Sequence, residues 1–168
     1  KARRLIPAYV EHLCEEIRHT GRIATELGLR LETVYFGGGT PTTLSAEQLE
    51  RLFEAVETSF DLSHVREYTV EAGGPDPGTP EKRQAIRRAG VGRVSINPQT
   101  LQQPVLAGIG RKHTVQQFYD AFDMARQAGF TNINTDLIAG LPGEYFSMYR
   151  HSFDTVQSLA PESLTVHT

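Results

Sequence analysis

The chain has 168 residues, of which 39% are hydrophobic, 22% charged and 8% aromatic, and its formal net charge at pH 7 is −3. This composition excludes a collagen-like, disordered or disulfide-stapled chain, and the slight excess of acidic residues argues against sequence-independent nucleic-acid binding. The one cysteine, Cys14, can form neither an internal disulfide nor, alone, a thiolate-ligated metal site. No run approaches 18 apolar residues, so we expect no membrane span.

The spacing of apolar residues predicts five helices that alternate with five short strands. The first helix ends at Gly28 and carries an apolar stripe of Leu5, Tyr9, Leu13, Ile17 and Ile23. In chain order, the further elements are a strand at 33–36, a helix after Ser45, a strand at 68–70, a helix from Pro80 to 89, a strand at 93–97, a helix after Thr114 that stops at Gly129, a strand at 132–138, a helix at about 145–159 and a strand at 163–168.

Polar residues mark the starts of these helices. Ser45 followed by Gln48 matches a capping box, Thr79 before Pro80 is placed to cap the third helix, and Thr114 opens the fourth. Residues 73–78 are predicted to form a loop.

The alternation of strands and helices predicts an α/β fold with a parallel sheet. We expect part of a barrel wall with its helices on the outer face, and an open doubly wound sheet is the alternative. Five strands do not close a barrel of the usual kind. The chain also lacks an initiator Met, and its last strand stops without a turn. We therefore expect residues 1–168 to be a single domain fragment of a longer parent.

Ligands of parallel α/β folds bind beyond the carboxyl ends of the strands, so the residues at those ends are candidates. Gly38, Gly39 and Thr40 follow the first strand within a run of three glycines. Such a run brings bare backbone groups against a ligand or forms only a tight turn, and the sequence leaves both open. The spacing fits neither a phosphate-binding P-loop nor a dinucleotide fingerprint.

Charged and amide side chains occupy the later strand ends. Glu71 leaves the second strand and is either a ligand contact or a surface carboxylate. Asn97 and Gln99 lie at the end of the third strand, where they either orient a ligand by hydrogen bonds or satisfy loop amides. Asp136 lies within an apolar strand and needs a partner, which is either a structural arginine or a ligand hydroxyl or amine. Arg111, flanked by glycine, can be that partner or can bind a carboxylate ligand. A ligand with ribose, ammonium and carboxylate groups would engage all of them.

No other catalytic set competes with these residues. The six histidines lack metal-ligand spacing, and Cys14, between apolar positions of a helix, is interpreted as a buried inert thiol. His167 lies in the last strand, where it can point into a barrel.

Residues 35–42, with the sequence YFGGGTPT, resemble the glycine motif of radical S-adenosylmethionine (SAM) enzymes. Four further segments occur in the order and approximate spacing of the oxygen-independent coproporphyrinogen III oxidase, or coproporphyrinogen dehydrogenase, family: residues 70–72, 93–100, 109–114 and 134–143. The resemblance covers nearly the whole chain.

The resemblance implies a partial (β/α)6 barrel that binds SAM. Gly38, Gly39 and Thr40 match the loop at the methionine end of SAM, and Glu71 matches a SAM-binding glutamate. The positions that in the best-known members line a second SAM or the substrate side of the pocket are matched by Gln99, Arg111 and Asp136. The implied chemistry is reductive cleavage of SAM by a [4Fe–4S] cluster, and the resulting radical starts decarboxylation of a porphyrinogen propionate to a vinyl group. The implied setting is cytoplasmic, with flavodoxin or ferredoxin as the electron donor.

The sequence departs from the family pattern in its cysteines. Members hold the cluster with a Cys-x-x-x-Cys-x-x-Cys loop, which the family order would place just ahead of Lys1, and Cys14 cannot replace it. The family's C-terminal substrate region is also absent. We therefore expect the chain by itself to bind no cluster, and to bind SAM weakly or not at all.

Two segments resemble a divergent subgroup of the family. Gly73 stands in the segment after Glu71 where the best-known members tend to have Asp-Pro, and Asn97 and Pro98 precede Gln99 where those members have Gly-Val. Related members handle haem itself, so a haem-binding chaperone without oxidase turnover is one alternative function. The other is a non-radical α/β-barrel enzyme that binds a phosphorylated metabolite at the glycine loop.

Overall fold

A computed structural model describes residues 2–72 and 79–168 of the chain. The strands are β1 (Thr33–Phe36), β2 (Glu67–Glu71), β3 (Arg93–Ser95), β4 (Ile133–Ile138) and β5 (Ser163–His167). The helices are α1 (Ile6–Glu26), α2 (Ala46–Ser59), α3 (Pro80–Arg88), α4 (Gln103–Gly108), α5 (Val115–Gln127) and α6 (Phe146–Ser158), with 3₁₀ turns at Ala2–Leu5 and Pro41–Thr43.

The five strands form one sheet in which every neighbouring pair is parallel and the spatial order follows the chain order, β1 to β5. Right-handed crossovers between strands in this order bring all the helices to one face. A doubly wound sheet would require the order to reverse at a switch point, and this sheet has no reversal. The prediction of an α/β barrel wall with its helices outside is confirmed, and the doubly wound alternative is wrong.

The two faces of the sheet differ in chemistry because successive strand residues point to opposite sides. Tyr68, Val70 and Val94 are buried in the core on the helix side. The opposite face, called the polar face below, carries Tyr35 of β1, Glu67, Thr69 and Glu71 of β2, Arg93 and Ser95 of β3, Asn134 and Asp136 of β4, and Thr165 and His167 of β5. The helices cover one face of the sheet, and the other face therefore presents hydrogen-bonding groups.

Two capping boxes fix the starts of α2 and α5. The Ser45 hydroxyl accepts a bond from the Gln48 backbone N–H at 3.2 Å, and the Gln48 side-chain oxygen accepts one from the Ser45 backbone N–H at 2.9 Å. Thr114 and Gln117 repeat the arrangement. At α3 the predicted Pro80 start is correct, but Thr79 makes no side-chain capping bond to the backbone, so that part of the prediction is wrong.

The buried stripe of α1 differs from the predicted stripe. Leu13 and Ile17 pack against the core as predicted. Leu5 and Tyr9 are 61% and 59% exposed, whereas Val10, Cys14 and Gly21 are buried. The reason is close packing against α2, since a Cβ at Gly21 would lie 2.5 Å from the Ser59 carbonyl oxygen. Small residues therefore determine which face of α1 is buried. The interpretation of Cys14 as a buried thiol is confirmed.

The segment between β3 and α5 also differs from its prediction. β3 ends at Ser95 rather than at residue 97, and the short helix α4 was not predicted. The chain turns at Gln99, whose φ is 66°, and makes an isolated bridge to Leu137 before α4 begins. The predicted loop at 73–78 lies outside the described residues. Within residues 2–72 and 79–168, no helix combines the length and the apolar character that a membrane crossing requires.

Candidate functional site

A cavity of about 230 Å³ lies where the carboxyl ends of β1 to β4 meet. Every one of the seven predicted site residues contributes to its wall, although they come from five different segments of the chain. The lining residues are Gly38, Gly39, Thr40, Glu71, Asn97, Gln99, Arg111 and Asp136. The structure therefore places all the candidates at one location.

The glycine loop forms one wall of this cavity. Gly38 has a φ of 95°, a conformation that disfavours residues with a Cβ, and a Cβ at Gly38 or Gly39 would meet no atom within 4 Å. The following turn is fixed by a 2.9 Å bond from the Thr43 N–H to the Thr40 carbonyl. Lys82 of α3 donates to the Thr42 carbonyl at 2.8 Å. The glycine loop is thus held in one conformation, and its backbone groups remain exposed.

Glu71 is held from the neighbouring strand. The Tyr35 hydroxyl donates a hydrogen bond to Glu71 Oε1. Partial burial, together with this bond and the charge of Glu71, raises the pKa of Tyr35 to about 12, so the phenol remains a donor at neutral pH. Gly37 lies beside the pair, and a Cβ there would overlap the Tyr35 ring and lie 3.4 Å from Glu71 Cδ. The missing side chain at position 37 makes room for this contact.

Asp136 is held by a network across three strands. The Asn134 amide nitrogen donates to Asp136 Oδ1 at 2.8 Å and to the Ser95 hydroxyl at 2.9 Å, and its oxygen accepts from the Thr165 hydroxyl at 3.3 Å. His167 Nε2 lies 3.6 Å from Asp136 Oδ2. The predicted need of Asp136 for a partner is met by Asn134 and His167 rather than by Arg111.

Backbone contacts fix the loop that carries Gln99. The Gln99 N–H donates to the Asp136 carbonyl at 3.1 Å, and the Gln99 carbonyl accepts from the Ile138 N–H at 2.8 Å. His113 Nε2 is 3.3 Å from the Pro98 carbonyl. Burial, together with the nearby Arg111 charge, lowers the pKa of His113 despite the bond to Pro98. His113 thus helps to hold the segment immediately before Gln99.

Three residues at or beside the site add to the seven predicted ones. Asn97 lines the cavity and accepts a 2.8 Å bond from the Ser95 hydroxyl. Tyr35 and His167 contact the two carboxylates from outside the lining. Asn97 was expected beside Gln99 from its place at a strand end, whereas the contact of Tyr35 depends on the register of β1 against β2.

The cavity is built to bind a polar, charged ligand. Carboxylates at Glu71 and Asp136 accept hydrogen bonds from hydroxyl or ammonium groups, and the Arg111 guanidinium pairs with a carboxylate. In the described part of the chain, no group of three or more His, Cys, Asp or Glu side chains is placed to hold a metal ion. Cys14 is fully buried with its Sγ 3.7 Å from the Arg51 carbonyl, which does not fit a cluster ligand.

A parallel β/α wall with a polar cavity at the carboxyl ends of its strands defines a ligand-binding protein of the β/α-barrel class. The chain belongs to the radical SAM superfamily, whose family model matches residues 3–156. The predicted resemblance to that superfamily is confirmed.

The similar proteins include both oxidases and chaperones by name. The chain is 46% identical over 154 residues to the oxygen-independent coproporphyrinogen-III oxidase-like protein HemZ of Bacillus subtilis (strain 168), which covers 91% of the chain and 31% of HemZ. It is 41% identical over 145 residues to the heme chaperone HemW of Lactococcus lactis subsp. lactis (strain IL1403), covering 86% of the chain and 36% of HemW. The chain therefore spans about a third of the length of these relatives.

Solved structures show the same fold. Coproporphyrinogen III oxidase (HemN) from Escherichia coli matches with a TM-score of 0.84 and 27% identity, over 96% of this chain and 37% of HemN. The archaeal Elp3 of Methanocaldococcus infernus matches with a TM-score of 0.70 over 92% of this chain and 41% of Elp3, but at 16% identity it supports the fold alone.

Proposed function

We propose that the cavity at the strand ends binds SAM. The observation that carries the proposal is the convergence of Gly38, Gly39, Thr40, Glu71, Gln99, Arg111 and Asp136 on one cavity. Membership of the radical SAM superfamily supports the same ligand.

The charges of the lining residues support SAM over a phosphorylated metabolite. Glu71 and Asp136 against Arg111 give the lining a formal charge of −1. SAM, with its sulfonium, ammonium and carboxylate groups, carries the opposite net charge, whereas a phosphate ester would be repelled by the two carboxylates. We therefore favour SAM over a phosphorylated metabolite as the ligand of the cavity.

The roles follow from the chemistry of each group. The exposed backbone at Gly38 to Thr40 and the carboxylate of Glu71 are suited to the amino-acid end of SAM, Arg111 is suited to a carboxylate, and Asp136 accepts bonds from hydroxyl groups. SAM, when reductively cleaved in this superfamily, supplies the radical that abstracts hydrogen. The [4Fe–4S] cluster that such cleavage requires does not fit this chain's residues, because Cys14 is its single cysteine and is buried.

The reaction that we propose for the full-length gene product is the oxidative decarboxylation of porphyrinogen propionates to vinyl groups, in the cytoplasm, with flavodoxin or ferredoxin as the electron donor. Similarity to HemZ and to HemN supports it. The chaperone alternative is supported by the 41% identity to HemW. Residues 1–168 would contribute part of one barrel domain in either case.

Calorimetry on the anaerobically purified full-length gene product tests SAM binding. Glu71→Gln keeps the shape of the side chain but removes its charge, so we expect the affinity for SAM to fall about tenfold or more. Glu67→Gln is the matched control, because Glu67 lies on the same strand and face but contacts Thr69 and Arg93. Wild-type affinity in Glu71→Gln would contradict the proposal.

A product assay separates the oxidase from the chaperone. Incubation of the same protein with coproporphyrinogen III, SAM and a reductant should release CO2 and give vinyl-bearing product, detected by mass spectrometry. Stoichiometric retention of haem without any decarboxylation would favour the chaperone and contradict the oxidase.

A further inference from the structure

We propose that Tyr35 is a positioning residue for the ligand of the cavity, because its hydroxyl holds the Glu71 carboxylate in the orientation that faces that ligand. The inference rests on the proposed binding of SAM for its functional test, and on the contact between Tyr35 and Glu71 for its structural basis. Tyr35 is not among the lining residues of the cavity, so it acts through Glu71 rather than on the ligand.

The parallel register of β1 and β2 creates the contact. Tyr35 pairs with Thr69, so its side chain lies on the polar face, two residues before Glu71 on the neighbouring strand. Val34 and Phe36, the neighbours of Tyr35 in β1, pack against the core on the other side. A tyrosine at this position can therefore reach along the polar face to the carboxylate that ends β2.

The hydrogen bond uses only one carboxylate oxygen. The Tyr35 hydroxyl donates to Glu71 Oε1, and within residues 2–72 and 79–168 the Glu71 carboxylate accepts no second hydrogen bond. With respect to those residues, Glu71 Oε2 is open to accept a bond from a ligand. The phenol restrains one carboxylate oxygen and leaves the other free to contact a ligand, and the charge of the acceptor strengthens the bond.

Gly37 provides a second observation that supports the contact between Tyr35 and Glu71. A Cβ at residue 37 would overlap the Tyr35 ring and approach Glu71 Cδ to 3.4 Å. Gly37 has no positive φ, unlike Gly38, so backbone conformation does not account for glycine there. The space that a side chain would fill is occupied by the tyrosine ring and the glutamate carboxyl group.

Removal of the hydroxyl should weaken binding without removing a ligand contact. In Tyr35→Phe the ring remains beside Gly37, but Glu71 is free to sample other rotamers, and ligand binding must then order it. Immobilising one such side chain is expected to weaken affinity by about three- to tenfold. Tyr145→Phe is the matched control, because Tyr145 is a highly exposed tyrosine at the start of α6.

A double-mutant cycle on the full-length gene product distinguishes positioning from a general structural role. SAM affinity is measured for wild type, Tyr35→Phe, Glu71→Gln and the double variant. We expect Tyr35→Phe to lose affinity in the wild-type background and to lose none in the Glu71→Gln background. An unchanged affinity in Tyr35→Phe, or an equal loss in both backgrounds, would overturn the inference.

A second measurement separates failure of this inference from failure of SAM binding. If the wild-type protein does not bind SAM, the proposed function fails, and the pair is then tested by NMR on protein labelled with ¹³Cδ-glutamate. The Glu71 carboxyl resonance, assigned with Glu71→Gln, should shift in Tyr35→Phe and stay in place in Tyr145→Phe. A Glu71 resonance that is the same in Tyr35→Phe and wild type would overturn the positioning role by itself.

Discussion

The two carboxylates of the cavity are supported in opposite ways. Among the described residues, the Glu71 carboxylate accepts one hydrogen bond, from Tyr35, which is 55% exposed on β1 at the edge of the sheet. Asp136 rests on Asn134, which is only 4% exposed and is bonded to groups of β3 and β5 as well. We infer that the Asp136 side is part of what holds the sheet together, whereas the Glu71 side can be altered with little effect on folding.

Replacement of Asn134 should have the largest effect on stability. Asn134→Leu keeps the side-chain size but leaves Asp136 and the Ser95 hydroxyl without their amide donor, and unpaired buried polar groups cost about 1–3 kcal/mol each. We expect the free energy of unfolding to fall by about 2–3 kcal/mol in urea titrations. Asn132→Leu, at an exposed position just before β4, is the control. A loss below about 0.5 kcal/mol, typical of surface substitutions, would contradict the role of the network.

Gly37→Ala should act on the Glu71 side. The new Cβ would displace the Tyr35 ring, and overpacking of this kind costs about 1–3 kcal/mol. Because the ring lies on the polar face, we expect the low end of that range, together with the loss of SAM affinity expected for Tyr35→Phe. Gly92→Ala is the control, since a Cβ there meets no atom within 4 Å. Equal SAM affinities in Gly37→Ala and Gly92→Ala would show that Gly37 does not influence ligand binding through the Tyr35–Glu71 contact.

His113, which holds the segment before Gln99, should make the stability of the folded protein depend on pH. Its pKa in the folded protein is lowered below the ordinary value of 6.5, chiefly by burial. The unfolded chain therefore binds the proton more readily, so the contribution is fully present above pH 6.5 and is lost as the pH falls through the folded-state pKa. The free energy of unfolding between pH 7.5 and 5 should fall less steeply in His113→Gln than in wild type. A slope in His113→Gln equal to that of the exposed control His151→Gln would refute this prediction.

His167→Gln should have the smallest effect. The His167 side chain is 57% exposed and approaches Asp136 only to 3.6 Å. Exposed ion pairs contribute about 0–1 kcal/mol, so we expect a change in the free energy of unfolding below about 0.5 kcal/mol at pH 6. A loss as large as that of Asn134→Leu would mean that Asp136 depends on the histidine rather than on the amide network.

The sequence allowed the fold to be predicted where signals are local. The capping box at Ser45, the stop at Gly28 and the alternation of strands with helices all depend on nearby residues, and each is confirmed. The buried face of α1 was predicted only in part, at Leu13 and Ile17, because the close approach of Gly21 to Ser59 is a contact between distant segments. Hydrophobic spacing alone gives no information about such an approach.

The residues that form the site could be predicted from the sequence, but the contacts that hold those residues in place could not. Glu71 and Asp136 could be placed at one edge because the carboxyl ends of parallel strands meet there. Arg111 was offered as a partner for Asp136, whereas Asn134 and His167 take that place through the registers of β4 with β3 and β5. Such pairs are fixed by the register between neighbouring strands, and the residue spacing within one strand does not reveal that register.

NMR titration of the ¹⁵N-labelled chain with SAM tests the central claim most directly, because it detects weak binding and locates it. The account predicts that, at millimolar SAM, backbone amide resonances shift with one common dissociation constant at Gly38, Gly39, Thr40, Glu71, Gln99, Arg111 and Asp136. Resonances of the groove between α3 and α5, around Gln84 and Gln127, should stay in place. Shifts confined to that groove, or shifts at the cavity residues with several different dissociation constants, would contradict a single SAM site at the strand ends.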